Sequence, residues 1–150
     1  MPPSSMLCRH RLPSFRTTCV GVGVTYVLLA GGLLANGIAE TMARYEVPAQ
    51  TLASPHYMDA ILWVYSHMIV LGLVIGLVGL LAESARLKLW FARLIFVAQC
   101  YYLVLDLRSS DSVLGNGLYE GPQSLGPAII GFVVTLLFLH LSFCPEVEPA

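Results

Sequence analysis

The sequence predicts an all-α fold: an integral membrane bundle of four helices that run up and down through the bilayer. Of its 150 residues, 57% are hydrophobic and only 11% are charged, whereas a soluble domain has about 25% charged residues because its surface faces water. The hydrophobic residues gather into four runs, each close to the roughly 20 residues that a helix needs to cross the hydrocarbon core. These spans cover about 17–39, 58–82, 89–107 and 125–144. We therefore expect residues 1–150 to form a single membrane domain.

The segments between the runs predict how the helices connect. Residues 40–57 form a loop that contains Pro48 and Pro55, two residues that disfavour the interior of a helix. Residues 83–88 are few and include three charged residues, so we expect the second and third spans to be antiparallel neighbours. Residues 108–124 form a longer connection that is rich in turn-forming residues, which predicts a surface loop.

The positions of Lys and Arg predict the orientation in the membrane, because basic residues are enriched in segments on the cytoplasmic side. If the N-terminus is inside, six basic residues belong to the inner side and two to the outer side. The inner residues are Arg9, Arg11, Arg16, Arg86, Lys88 and Arg93, and the outer residues are Arg44 and Arg108. We therefore expect both termini in the cytoplasm, with the chain in a bacterial plasma membrane. An organelle inner membrane is the alternative.

The first span has a second interpretation. Basic residues, an apolar stretch and the small residues of Gly37-Ile38-Ala39 also fit a secretory signal with its cleavage site. Cleavage would leave three spans and move the N-terminus outside. The apolar stretch is about 20 residues long and exceeds the roughly 7–15 residues of an ordinary signal core. The sequence therefore favours a retained helix.

Glycine spacing in the second span predicts close helix packing. Gly72 and Gly76 form a GxxxG motif, and Gly79 follows on the same face. Such a face lets the backbone of another helix approach, which matters because lipid supplies no hydrophobic driving force between helices. The partner is either a helix of the same chain or a helix of another subunit, and this common motif does not distinguish the two.

Polar side chains within the spans form a second candidate site. Asp59 and His67 are eight residues apart and share a face of the second helix. Gln99 lies at a depth similar to that of His67, while Asn36 and Asp106 lie near the outer ends of their helices. These residues predict a polar track that opens outward. Because a polar group in hydrocarbon needs a partner, we expect His67 to face the bundle interior and to hydrogen-bond Gln99 directly or through a water, for structural support or for transport. The structural alternative is that His67 and Gln99 bond Ser66 and tyrosine side chains instead.

Two membrane histidines, His67 and His140, raise the question of a haem. Counted from the centres of their helices, they differ in depth by roughly 12 Å, which is too much for two axial ligands of one iron. The sequence therefore predicts no bis-histidine haem, and we expect no cofactor; the alternative is a haem that His67 ligates alone or shares with another subunit. His56 and the acidic residues of the outer loops lack the spacing of a metal-binding motif, so we expect no metal site.

Other chemical motifs are missing from the sequence. It contains no GxSxG nucleophile elbow, no phosphate-binding glycine loop and no HExxH. Eight Lys and Arg residues against nine Asp and Glu residues give a net charge of -1 and no basic surface for nucleic acid. Cys8, Cys19, Cys100 and Cys144 are scattered without a CxxC pair, and we expect them to be apolar fillers or free thiols.

These features favour a non-enzymatic role, as a small membrane subunit or accessory protein whose helices dock on one another and on a partner protein or a second copy. The alternative is a small membrane carrier or redox-linked protein that uses the track of Asp59, His67 and Gln99. A third hypothesis is an enzyme that acts on a lipid or quinone at the outer face. In size and topology the chain resembles the small four-span bacterial membrane proteins that include the DoxX-like group. That resemblance is one of architecture and implies no site residue.

Overall fold

A computed structural model describes residues 13–44, 47–109 and 125–144. Over these residues the fold is all-helical, without a strand. The helices are α1 (Phe15–Ala35), α2 (Ile38–Ala43), α3 (Ala49–Leu52), α4 (Pro55–Leu81), α5 (Ala85–Ser109) and α6 (Leu125–Phe143). The four long helices α1, α4, α5 and α6 correspond to the four predicted spans.

Helix α1 begins and ends slightly earlier than the first predicted span. Ser14 caps its N-terminus, where the Ser14 hydroxyl oxygen accepts a hydrogen bond from the Thr17 backbone N–H at 3.2 Å. At the other end, Gly37 has a φ of +86°, a conformation that residues with a side chain rarely adopt. The glycine therefore ends α1 before the apolar run itself ends.

The predicted loop between the first two spans contains the short helices α2 and α3, and α4 begins inside its last part. Pro55 is the first residue of α4. A proline is well tolerated there because the first residues of a helix have no intrahelical acceptor for their N–H groups. The expectation that Pro55 belongs to the loop is therefore wrong, although the same property of proline explains where α4 starts.

Length and composition indicate a membrane protein. Three stretches are long and apolar enough to cross a membrane: Phe15–Ala35, Pro55–Leu81 and Ala85–Leu105. Among the residues described with their side chains, α6 adds the shorter apolar stretch Ile129–Phe143. Each long helix buries a stripe of side chains and exposes several large apolar ones on the outside of the molecule. Such an exterior suits lipid rather than water.

The long helices pack in two pairs, α1 with α4 and α5 with α6. Along α1, Cys19 lies opposite Gly79 and Gly23 lies opposite Gly72, so α1 and α4 are antiparallel. Helices α4 and α5 run in opposite directions, as the short connection predicts, and both contribute to the apolar core, but α4 packs most extensively on α1, through its glycine face.

Side chains of α1 also connect the two pairs. The ring of Phe15 meets the ring of Phe91 edge to face, with centroids 6.3 Å apart. Further along both helices, Gln99 donates a hydrogen bond to the hydroxyl of Tyr26 at 2.7 Å. From the first contact to the second, the residue numbers increase on both helices, so α1 and α5 are parallel. A shared apolar core joins all four long helices and consists of Phe15, Cys19, Val22, Ile75, Ala92, Ile95, Val134, Phe138 and Leu141.

Candidate functional site: glycine contacts and intramembrane polar groups

The closest approach between two helices occurs where glycines of α1 and α4 meet. A Cβ atom built on Gly23 would lie 2.5 Å from the carbonyl oxygen of Gly72 and 2.8 Å from the backbone nitrogen of Gly76. One built on Gly72 would lie 2.8 Å from the carbonyl oxygen of Gly23. Distances this short leave no room for a side chain on either residue. The two backbones are therefore in direct contact, in the manner that glycine makes possible in membrane helices.

The three glycines of α4 have different roles in this contact. A Cβ on Gly79 would lie 2.5 Å from the Cβ of Cys19, so Gly79 also needs to be small. A Cβ on Gly76 would meet no atom within 4 Å. The backbone of Gly76 therefore lies against Gly23, but a side chain at position 76 would point into open space. The requirement for glycine is therefore stronger at Gly72 and Gly79 than at Gly76.

Gln99 is one of the buried polar residues of the helix core, and its side chain bonds to another helix. It is only 4% exposed, and its amide nitrogen donates to the Tyr26 hydroxyl of α1 at 2.7 Å. A buried amide without a partner would cost about 1–3 kcal/mol, so this hydrogen bond helps to fix how α5 is placed against α1. The expected pairing of Gln99 with His67 is therefore wrong, whereas the alternative of a tyrosine partner that satisfies the core agrees with this bond.

His67 lies on the outer surface of the fold rather than in its interior. Its Nδ1 lies 2.7 Å from the backbone oxygen of Trp63, one turn earlier on the same helix. The imidazole also stacks on the Trp63 indole, with centroids 5.3 Å apart and planes at 25°. The expected hydrogen bond to Gln99 is not formed, because His67 and the stripe of α4 that faces α1 are on different sides of that helix. With Leu62, Ser66 and Val70, the pair lines a shallow groove.

The remaining residues of the predicted polar track also lie apart. The side-chain amide of Asn36 donates to the backbone oxygen of Gly32 at 2.8 Å, so it supports the end of α1. Asp59 is exposed near the start of α4 and makes no hydrogen bond or ion pair within the described part of the chain. The side chain of Asp106 lies outside the described residues. The structure therefore does not assemble Asn36, Asp59, His67 and Gln99 into one track.

Several serine and threonine hydroxyls of the long helices are satisfied locally. Thr25 donates to the backbone oxygen of Gly21, Thr135 to that of Gly131, and Ser142 to that of Phe138, at 2.7–2.8 Å. Each bond reaches back four residues along the same helix. Such a bond satisfies the hydroxyl within its own helix, so that no hydrogen-bond partner on another helix is needed in lipid. These hydroxyls are therefore not available to line a polar path.

The cysteines divide into two groups. Cys19 and Cys100 are thiols, and Cys19 is buried against Gly79, as an apolar filler would be. Cys144, just after α6, is disulfide-bonded. The expectation that the cysteines are fillers or free thiols is therefore wrong for Cys144. Wide spacing in the sequence gave no sign of this bond, because a disulfide depends on proximity in the folded chain.

Comparisons with known protein families, with curated proteins and with solved structures gave no match.

Proposed function

We propose that the chain is a small multi-pass membrane protein with a non-enzymatic role, a subunit or accessory protein that acts through helix–helix packing. In this proposal the four long helices all cross the bilayer as an up-down bundle. The observation that carries it is that the two faces of α4 have different surroundings. One face of α4 contacts α1 at backbone distance, whereas nine large apolar side chains elsewhere on α4 are exposed.

The arrangement of polar groups supports the same proposal. A carrier or an enzyme needs several polar side chains that converge on one volume. Here Asn36 and His67 bond to the backbone of their own helices, and Gln99 bonds to Tyr26 in the core. The alternative of a carrier or redox-linked protein depends on the track of Asp59, His67 and Gln99. Since the structure separates these residues, we do not propose that alternative.

For the location, we propose a bacterial plasma membrane with both termini in the cytoplasm. The support is the excess of Lys and Arg in the segments that an inside N-terminus would place on the inner side. Arg16 at the start of α1 and Arg86 and Lys88 at the start of α5 belong to this excess, and the parallel course of α1 and α5 brings them to one end of the fold. The disulfide at Cys144 favours the opposite side of the membrane for the end of α6, because disulfides persist in oxidising compartments.

Purification from native membranes in a mild detergent tests the proposed role. The tagged full-length chain should elute with a stoichiometric second protein or as a defined oligomer, and its solution should be colourless. An unrelated membrane protein of similar size with the same tag is the control for adventitious binding. Elution as a lone monomer, or with a visible absorption band, would contradict a packing role and would revive the carrier and redox hypotheses.

A further inference from the structure

The side of α4 that faces away from α1 presents polar atoms to the surroundings. With 3.6 residues per turn, Trp63, Ser66, His67 and Val70 share one face, roughly opposite the face of Gly72 and Gly79. All four are exposed. We call these four residues the outer α4 face. Pro55 is the first of the 27 residues of α4 and His67 the thirteenth, so this face lies close to the middle of the helix.

His67 presents a hydrogen-bond acceptor on this face. The Trp63 backbone oxygen can only accept, so Nδ1 of His67, 2.7 Å away, carries the proton and donates. In the neutral ring Nε2 is then an acceptor. Stacking on Trp63 fixes the plane of the imidazole. Within the described part of the chain, His67 has no other hydrogen-bond partner.

Ser66 presents a donor beside it. The hydroxyls of Thr25, Thr135 and Ser142 all bond to the carbonyl four residues earlier. Ser66 makes no such bond, and no described residue partners its hydroxyl. An unsatisfied polar group in the hydrocarbon region is costly. The outer α4 face therefore carries one unsatisfied donor and one unsatisfied acceptor, at neighbouring positions near mid-helix.

We infer that the outer α4 face binds a second copy of this chain, with the Ser66 hydroxyl of each copy donating to His67 Nε2 of the other. This inference rests on the proposed function and names its partner. Two copies inserted with the same orientation have parallel α4 helices, so a two-fold axis along the membrane normal places residues of equal number at equal depth. Ser66 and His67 differ by only about 1.5 Å in depth. Donor and acceptor are therefore complementary to themselves, which a two-fold interface requires.

The apolar residues around this pair suit the same contact. Val70, Leu73, Val74 and Leu77 continue along the exposed side of α4 and are between 44% and 60% exposed. In the dimer these side chains make van der Waals contacts on both sides of the two-fold axis. Each polar bond between membrane helices strengthens association by about three- to thirty-fold, and the symmetric interface contains two.

Disulfide trapping in lipid vesicles tests the inference directly. In the full-length chain, Val70→Cys places a thiol on the outer α4 face, and Val97→Cys places one on the outside of α5. The two valines are matched controls, since they are 60% and 64% exposed. Mild oxidation at a low protein-to-lipid ratio should link Val70→Cys into dimers, while Val97→Cys should stay at the wild-type background set by the native cysteines.

Variants of the polar pair complete the test. Because each change removes both symmetry-related bonds, Ser66→Ala and His67→Leu in the Val70→Cys background should each lower the dimer association constant by roughly 9- to 900-fold. Neither change should lower thermal stability, because both side chains are exposed. Equal trapping of Val70→Cys and Val97→Cys, or trapping unchanged by both variants, would overturn the inference. An untrapped chain that co-purifies with a different protein overturns the dimer but supports the proposed function. A lone monomer overturns both.

Discussion

Gly23 and Gly72 bring α1 and α4 into backbone contact: a Cβ on Gly23 would lie 2.5 Å from the carbonyl oxygen of Gly72. Nothing can yield at such a contact, because the opposing atom is backbone rather than the end of a flexible side chain. Any larger residue at either position must push the two helices apart. Since α1 also contacts α5 through Tyr26 and Gln99, that displacement would disturb the connection to α5.

The first prediction concerns Gly23. Gly23→Ala should lower the free energy of unfolding by about 1–3 kcal/mol, the usual cost of overpacking. Gly21→Ala is the matched control, because it lies on the same helix and a Cβ there meets no atom within 4 Å. Both changes gain the same helix propensity, up to about 1 kcal/mol in soluble helices. Thermal unfolding in detergent measures the difference, and equal stability of the two variants would show that α1 and α4 are not in backbone contact.

The second prediction makes the same contrast on α4. Gly72→Ala should destabilise the protein, because its new methyl group would lie 2.8 Å from the carbonyl oxygen of Gly23. Gly76→Ala should be tolerated, since that direction is open. Proteolysis of the purified variants measures this readily, with faster cleavage expected for Gly72→Ala. Faster cleavage of the Gly76 variant alone would mean that α4 is rotated relative to the arrangement described.

The third prediction concerns the hydrogen bond between Gln99 and Tyr26. A double-mutant cycle of Gln99→Leu and Tyr26→Phe should give a coupling of about 0.6–2 kcal/mol in the free energy of unfolding. The cycle is needed because Tyr26 has further interactions, which single variants would also remove. His67→Leu is the control on the surface, where substitutions usually change stability by less than about 0.5 kcal/mol. Additive effects of Gln99→Leu and Tyr26→Phe would show that the two side chains do not interact.

The sequence was a good guide to the helices because span length and apolar composition are local properties. All four predicted runs became long helices, and of the three glycines predicted to pack, Gly72 and Gly79 lie close to α1 while Gly76 has open space beside it. Their counterpart Gly23 is also visible in the sequence, among several glycines of the first run. The sequence does not show which of those glycines faces α4, because that depends on how each helix is rotated about its own axis.

The residues of the predicted polar track do not come together, for a related reason. Depth along a helix follows from counting residues, and His67 and Gln99 were assigned similar depths on that basis. Whether two side chains at one depth meet depends on which helices pack and on which faces they pack. Here α4 packs on α1 with its glycine face, which leaves His67 outside and pairs Gln99 with Tyr26. Equal depth is necessary for contact between two side chains, but it is not sufficient.

The fourth prediction concerns the redox state of the cysteines. In protein isolated without reductant and unfolded in detergent, Cys19 and Cys100 should react with a maleimide, whereas Cys144 should react only after reduction. Mass spectrometry of the peptides identifies the labelled residues. Because disulfides persist in oxidising compartments, a protected Cys144 would argue that the end of α6 faces such a compartment. Immediate labelling of Cys144 would contradict the disulfide.

The last prediction concerns topology. If all four long helices cross the membrane, the connection between α4 and α5 and the C-terminus must lie on the same side, because α5 and α6 together cross twice. Reporter fusions after Arg86 and after Ala150 should therefore give the same answer, and the excess of basic residues predicts that this side is cytoplasmic. A fusion after Pro48, between α2 and α3, is the matched control and should report the opposite side. Different answers from the Arg86 and Ala150 fusions would mean that α6, whose described apolar stretch Ile129–Phe143 is short, does not span the bilayer. A shared answer on the non-cytoplasmic side would keep four spans, reverse the proposed orientation and place Cys144 where its disulfide is stable.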